Sequence, residues 1–310
     1  MLKGLSRLIS ADSFPESREA LEADEKAELN IIAWGDPQIS ALSPLRSERV
    51  YSACMDIKNA AGKFDLLMLL GDNAEYGMKA EYMMLSRLLN SVSSKVESFI
   101  VISGNHDVRI RNYKKQLRKF NAFIGDIKGG IIGRAEHYYF KTELKGYKFI
   151  MLGADKNAFE ASYISKEQLD WLDSELKKAE NDKVVFVLNH QPLRYSHGLP
   201  ATWLGKGEWR GHIGEQSDEL KAIFEKYKNV FFITGHLHYG TSKYNYEDYG
   251  AYKALSLPTI GVLNHGEYNH DAQGYVIYVY DNKIILRSRL FKQGRFAEKD
   301  VENSYVEIEI

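Results

Sequence analysis

The rhythm of hydrophobic and polar positions changes near residue 30. Before it, the chain is mostly polar and charged, and Leu2, Leu5, Leu8 and Ile9 recur at the spacing of one short helix face. The stretch 17–28 is dominated by Glu, Ala, Asp and Lys and reads as a solvated helix. Residues 1–29 are therefore expected to form a peripheral helical arm. After it, short apolar runs alternate with helical patterns. The runs 30–34, 65–70 and 98–103 end at Gly35-Asp36, Gly71-Asp72 and Gly104-Asn105-His106-Asp107. Between them, 46–62 carries Val50, Ala53, Cys54 and Ile57 at helical spacing, and 78–90 carries Met84, Leu85, Leu88 and Leu89. Strand, helix, strand, helix, strand is the pattern of parallel pairing through crossover helices. Continuous apolar strands indicate burial on both faces.

The same α/β grammar continues. Strands are predicted over 137–143 and 147–153, and a helix over 165–180 with Leu169, Leu172 and Leu176 on one face. The apolar run 183–189 ends at His190. A helix near 217–227 leads into the run 230–234, which ends at Gly235-His236-Leu237-His238. Strands near 251–257, 274–280 and 283–290 follow, with Asp281-Asn282-Lys283 as a hairpin turn and 305–310 as an alternating edge strand. No internal repeat or low-complexity linker interrupts 30–310, which reads as one domain.

The polar residues behind these runs share a position. Asp36, Asp72, Asn105, His190, His236 and His238 each stand just past the C-terminal end of a predicted strand, where open α/β sheets bind ligands. Two carboxylates, an amide and three imidazoles suit a divalent metal. They are too many for one tetrahedral ion and suit two ions sharing a carboxylate. The lone Cys54 excludes an internal disulfide and a thiolate cluster. With 41 Lys and Arg against 42 Asp and Glu, the net charge of −1 gives no global attraction to nucleic acid or to an anionic membrane. No apolar run approaches the roughly 20 residues of a membrane span. The N-terminus lacks a continuous apolar signal region. The expectation is a cytoplasmic chain with neither membrane nor nucleic acid as partner.

Asp36-Pro37-Gln38, Gly71-Asp72-Asn73, Gly104-Asn105-His106-Asp107, Asn189-His190 and Gly235-His236-Leu237-His238 together resemble, in order, the five motifs of the calcineurin-like metallophosphoesterase superfamily. The resemblance covers about residues 30–240. It implies two packed mixed β-sheets flanked by helices, a four-layer αββα sandwich. It also implies that Asp36, Gln38, Asp72 and His238 hold one divalent ion, and that Asp72, Asn105, His190 and His236 hold the other. A hydroxide between the ions would attack phosphorus in line, His106 would protonate the leaving oxygen, and Asp107 would orient the His106 ring. The first motif usually reads Asp-x-His. Gln38 replaces a basic nitrogen with a neutral oxygen, which moves the preference among Mn, Fe, Mg and Zn toward Mn or Fe. Glu75 stands where some branches carry Asp or Tyr, and its role is open.

The implied activity is hydrolysis of a small-molecule phosphoester, by a phosphatase or a phosphodiesterase. A nuclease or protein phosphatase of the same superfamily and a non-catalytic metal-stabilised binding module stay open as alternatives, the last opposed by the intact Asn105, His106 and Asp107. The sequence assigns neither monoester nor diester, nor an oligomeric state. The loop 191–216 is long enough to be a lid or a binding loop. Arg194, Tyr195, His197, Trp203 and Trp209 in it, and Arg109 beyond the third motif, are candidate substrate contacts. The tryptophans read equally as anchors holding the loop to the body. His265 and His270 sit in a second loop, 263–271, as turn residues or substrate contacts.

Overall fold

The computed structural model describes residues 19–110, 112–131, 137–203 and 211–310. In chain order the elements are β1 (Leu29–Trp34), α1 (Pro44–Lys58), β2 (Phe64–Leu70), α2 (Lys79–Asn90), β3 (Val96–Ile102), α3 (Asn105–Val108), α4 (Tyr113–Asp126), β4 (Gly130–Ile131), β5 (Phe140–Leu144) and β6 (Tyr147–Met151). The two-residue strands β7 (Asn157–Ala158) and β8 (Ala161–Ser162) precede α5 (Lys166–Lys178), β9 (Val185–Leu188), α6 (Ser217–Phe224) and β10 (Val230–Thr234). Then come β11 (Tyr246–Asp248), β12 (Tyr252–Ser256), β13 (Gln273–Val279), β14 (Lys283–Leu290), β15 (Arg295–Phe296) and β16 (Tyr305–Glu309).

Two mixed sheets organise the chain. The first has eight strands in the order β15-β14-β13-β1-β2-β3-β4, with β16 also on β14. Its β1 to β4 run parallel, and β13 pairs antiparallel to β1. The second has six strands in the order β11-β12-β10-β9-β6-β5, with β6, β9, β10 and β12 parallel. Strand alternation decides what each side chain meets. On β1, Leu29, Ile31 and Ala33 face the second sheet, where Phe149, Phe186, Leu188 and Ile233 meet them. Ile32 and Trp34 turn the other way, toward Val50, Ala53, Ile57 and Leu85 of α1 and α2. Val185 and Val187 of β9 likewise turn outward, against Leu169, Leu172 and Leu220 of α5 and α6. The layers are helix, sheet, sheet, helix. Both parallel hearts point their C-terminal ends to the same rim, because β1, β2, β3, β9 and β10 all deliver motif residues there.

Two segments depart from expectation. Residues 19–28 are not helical. Their backbone is captured by other parts of the fold: Glu19 N donates to Gly294 O at 3.0 Å, Ala23 N to Ala61 O at 3.1 Å and Glu28 N to Val279 O at 2.8 Å. Leu21 is buried in the helix-side core of the first sheet. Helix-favouring composition is a weak prior, and tertiary hydrogen bonds override it here. The four N-terminal apolar positions from Leu2 to Ile9 lie outside the described residues. The second departure is α4, for which the apolar rhythm predicts no element. Its buried face is Gln116, Phe120, Phe123 and Ile124, and Asn112 caps its start by accepting from Lys115 N. Lys114, Lys115, Arg118 and Lys119 dilute that pattern in the sequence.

Candidate metal centre

Five strand ends converge on one point. Asp36 and Gln38 follow β1, Asp72 follows β2, Asn105 follows β3, His190 follows β9, and His236 and His238 follow β10. All but His238 are buried. The backbone there is bent in a costly way. Asp36, Gln38, Asp72, His236 and His238 have φ of 50°, 39°, 49°, 73° and 51°, in the left-handed region that side chains avoid. Such conformations cost about 1–3 kcal/mol each and persist only where the surroundings impose them. Here Gln38 N donates to Asp72 O at 2.6 Å, and Thr259 Oγ1 donates to Asp36 O at 2.9 Å. Two motif glycines are explained by close approach. A Cβ on Gly71, itself at φ 88°, would stand 2.5 Å from His190 Nδ1. A Cβ on Gly104 would stand 2.1 Å from Asp72 Oδ1.

The side chains form two overlapping trios. One ligand atom each from Asp72, His190 and His236 lies within 4.8 Å of the others, and the same holds for Asp36, Asp72 and His238. Asp72 belongs to both. His190 Nδ1 lies 2.7 Å from Leu70 O, and a carbonyl can only accept, so Nδ1 carries the proton. Nε2 then faces Asp72 Oδ2 at 3.2 Å and Asp36 Oδ1 at 3.7 Å. His238 Nε2 lies 3.0 Å from Asp36 Oδ1. Backbone amides aim the carboxylates: His236 N donates to Asp36 Oδ2 at 3.0 Å and His106 N to Asp72 Oδ1 at 2.8 Å.

Electrostatics at the centre are strongly perturbed. Burial would raise Asp72, but the facing imidazoles of His190 and His106 outweigh it and hold the carboxyl well below its usual range. Burial pulls His190 down, yet Asp72 and Asp36 hold it up to about 10. Burial and the charge on His190 drive the adjacent His236 well below the ordinary histidine value. Gln38 Oε1 and His236 Nε2 are among the buried atoms with no hydrogen-bond partner. Buried polar atoms in folded proteins are nearly always satisfied. An orphaned amide oxygen and an unpartnered imidazole nitrogen beside crowded carboxylates fit divalent cations held by oxygen and imidazole.

A small cavity of about 180 Å³ opens onto the centre, lined by Asp72, His106, Glu160, Trp203, His236, Leu237, His238 and His265. Trp203 stacks on His236 with ring centroids 4.7 Å apart, so it both anchors its loop and walls the cavity. Arg109 is near, but it pairs with Glu160 at 2.9 Å and faces Glu75 at 3.8 Å. Arg194 and Tyr195 are not brought to the centre. They line a separate hollow with Leu199, Pro200 and His212. His197 is also elsewhere, buried with Nδ1 2.8 Å from Tyr244 O. Trp209 lies outside the described residues, and His270 is exposed.

One expected contact is absent. Asp107 does not hold the His106 ring. Its carboxylate instead accepts five hydrogen bonds, from Gly104 N, Asn73 N, Asn73 Nδ2, Ala74 N and Tyr82 OH. It ties the second and third motif loops together, and burial with the charge of Asp72 raises it to about 6. The His106 ring is held by Glu75, whose carbonyl lies 2.9 Å from Nδ1. Glu160 and Gln191 belong to the site without any motif to announce them. Glu160 reaches Asn105 across 55 positions of sequence, a proximity that no local pattern encodes.

The family model described as calcineurin-like phosphoesterase matches residues 31–240. The chain belongs to the calcineurin-like phosphoesterases. It is therefore a hydrolase of the metal-dependent phosphoesterase class. A 3′,5′-cyclic-nucleotide phosphodiesterase of Nostoc is 24% identical over 68% of this chain and 69% of its own length. A probable glycerophosphodiester phosphodiesterase of Arcobacter nitrofigilis is 25% identical over 61% of this chain and 62% of its length. The 3′,5′-cyclic adenosine monophosphate phosphodiesterase of Escherichia coli is 24% identical over 64% of this chain and 63% of its length. Alignment to curated relatives thus spans about two thirds of their length. Among solved structures, a dimetal phosphatase of Danio rerio covers 91% of this chain and 99% of its own, with TM-score 0.59 and 14% identity. A purple acid phosphatase of yellow lupin covers 91% of this chain and 53% of its own, with TM-score 0.63 and 13% identity. Both share the four-layer fold. Among the described residues no helix is long and apolar enough to cross a membrane.

Proposed function

We propose that this chain hydrolyses a small-molecule phosphodiester with two divalent ions. The observation that carries the reading is the pair of ligand trios sharing Asp72. Asp36, Gln38, Asp72 and His238 would hold one ion, and Asp72, Asn105, His190 and His236 the other. Bound there, the ions would supply a hydroxide at neutral pH and neutralise charge on the phosphoryl group. The protein's own part is orientation and proton delivery. Nδ1 of His106 donates to the Glu75 carbonyl, so Nε2, 3.1 Å from the Gln38 amide nitrogen and 3.8 Å from Asp72 Oδ2, is the ring atom left to carry the proton that a leaving alkoxide needs.

Two features favour a diester over a monoester. The nearby cations Arg46 and Arg109 are already paired with Glu75 and Glu160, so neither is free to take the additional negative charge of an ionised monoester, which a diester lacks. The relatives named as cyclic-nucleotide and glycerophosphodiester phosphodiesterases support the same class. The test is a panel of cyclic diesters, linear diesters and monoesters, assayed on chelated protein reloaded with Mn²⁺, Fe²⁺, Mg²⁺ or Zn²⁺. Diesters should be turned over fastest, with Mn²⁺ or Fe²⁺ restoring most activity. Faster cleavage of monoesters, or full turnover in metal-free protein, would refute the reading.

A further inference from the structure

An amide ligand has two faces, an oxygen that a cation attracts and an NH₂ group that it repels. Nothing in the amide itself selects between them, since a half-turn exchanges the two. At this centre both amides are turned by a carboxylate. Gln38 Nε2 donates to Glu75 Oε2 at 2.8 Å, and Asn105 Nδ2 donates to Glu160 Oε2 at 2.8 Å. An ionised carboxylate only accepts, so the atom facing it must be nitrogen. Gln38 Oε1 then points the other way, buried and without a partner. Asn105 Oδ1 has only a marginal contact, 3.5 Å from Gln191 Nε2.

The two carboxylates are held in turn. Arg46 pairs with Glu75 and donates to Gln38 O at 3.2 Å, which fixes both ends of the same residue. Arg109 spans the pair, with Nη1 2.9 Å from Glu160 Oε1 and Nη2 3.8 Å from Glu75 Oε1. These four side chains are between 13% and 24% exposed, so water competes only partly for their hydrogen bonds.

We propose that Glu75 and Glu160, linked by Arg109, are positioning residues that turn the oxygens of Gln38 and Asn105 toward the two ions, one carboxylate per ion. The inference rests on the two-ion reading above. It assigns the arginines to this scaffold and not to substrate phosphate. It also gives the Gln38 variant of the first motif a requirement of its own. An imidazole needs an acceptor only to select its tautomer, whereas an amide needs one to face the ion correctly.

The test is titration of the chelated full-length chain with Mn²⁺, reading two binding constants, with the paramagnetic resonance signal of the bound ions followed in parallel. Removing an outer partner typically weakens metal binding about 10- to 100-fold. Glu75→Ala should lower one constant by that factor, and Glu160→Ala should lower the other. Glu75→Gln and Glu160→Gln should recover most of the loss, because a Gln oxygen still accepts from the amide although the charge is gone. Gln variants as weak as the Ala variants would mean that charge alone acts, and would overturn the proposal. So would Ala variants with both constants unchanged, or with both constants lowered together. A wild-type chain that binds fewer than two ions would instead overturn the two-ion reading, and this inference with it.

Discussion

The eight-stranded and six-stranded sheets bring different chemistry to the same rim. From the first come Asp36, Gln38, Asp72 and Asn105, which offer oxygen. From the second come His190, His236 and His238, which offer nitrogen. Neither sheet alone supplies either trio: Asp72 needs His190 and His236, and Asp36 with Asp72 needs His238. The centre therefore exists only when the two sheets are packed face to face, and a cation there would clasp one sheet to the other. The contacts that set its geometry are partly those of the intersheet core, where Ile31, Met68, Phe186 and Ile233 are fully buried.

That comparison can be broken most severely at Asp72. Asp72→Asn should remove both ions and reduce hydrolysis by more than the ~10- to 100-fold typical of losing an outer partner. On the other sheet, His236→Ala and His238→Ala should each remove one ion. Metal analysis of purified protein decides, and an Asp72→Asn chain that keeps two tightly bound ions would refute a shared carboxylate.

His106→Ala comes next, at ~10²–10⁴-fold, the usual contribution of a general acid. The loss should appear for alkyl diesters and nearly vanish for nitrophenyl ones, whose leaving group departs without a proton. Equal losses for both, with metals retained, would leave His106 no acid role.

Asp107→Asn should behave in the opposite way. Asn offers one acceptor oxygen where the carboxylate accepts five hydrogen bonds. Stability should fall by about 1–3 kcal/mol, the cost of leaving a buried donor unmatched. Every substrate should slow alike, which urea unfolding and parallel kinetics can check. The smallest effect is expected from Gln38→His, which places nitrogen among the first sheet's oxygens. It should shift competitive binding toward Zn²⁺ with little loss of total affinity, and an unchanged metal ranking would remove Gln38 from the ligand set.

Much of this was legible because the relevant signals are local. An apolar run followed by Gly-Asp, Gly-Asn-His-Asp, Asn-His or Gly-His states both the strand and the residue at its end, as at β1, β2, β3, β9 and β10. The segment 19–28 misleads because its backbone partners, Gly294, Ala61 and Val279, are remote in sequence. The long loop misleads for a related reason. Arg194, Tyr195, His197 and Trp203 share one stretch, yet only Trp203 turns to the cavity. Asp107 is legible as a buried carboxylate of the third motif but not as a tie between two loops, since its donors Asn73, Ala74 and Tyr82 come from the second motif and α2.

By itself the sequence determined the layers and the inventory of donors. Continuous apolar runs on the central strands and helical spacing between them are local patterns, and so is the placement of a polar residue at a strand end. Tertiary structure alone decided the partners. Glu75 turns Gln38 across 37 positions and Glu160 turns Asn105 across 55, while His190 meets Asp72 only where the sheets stack. Hydrogen bonds and charges act over a few ångströms of space, and a sequence records distance along the chain only.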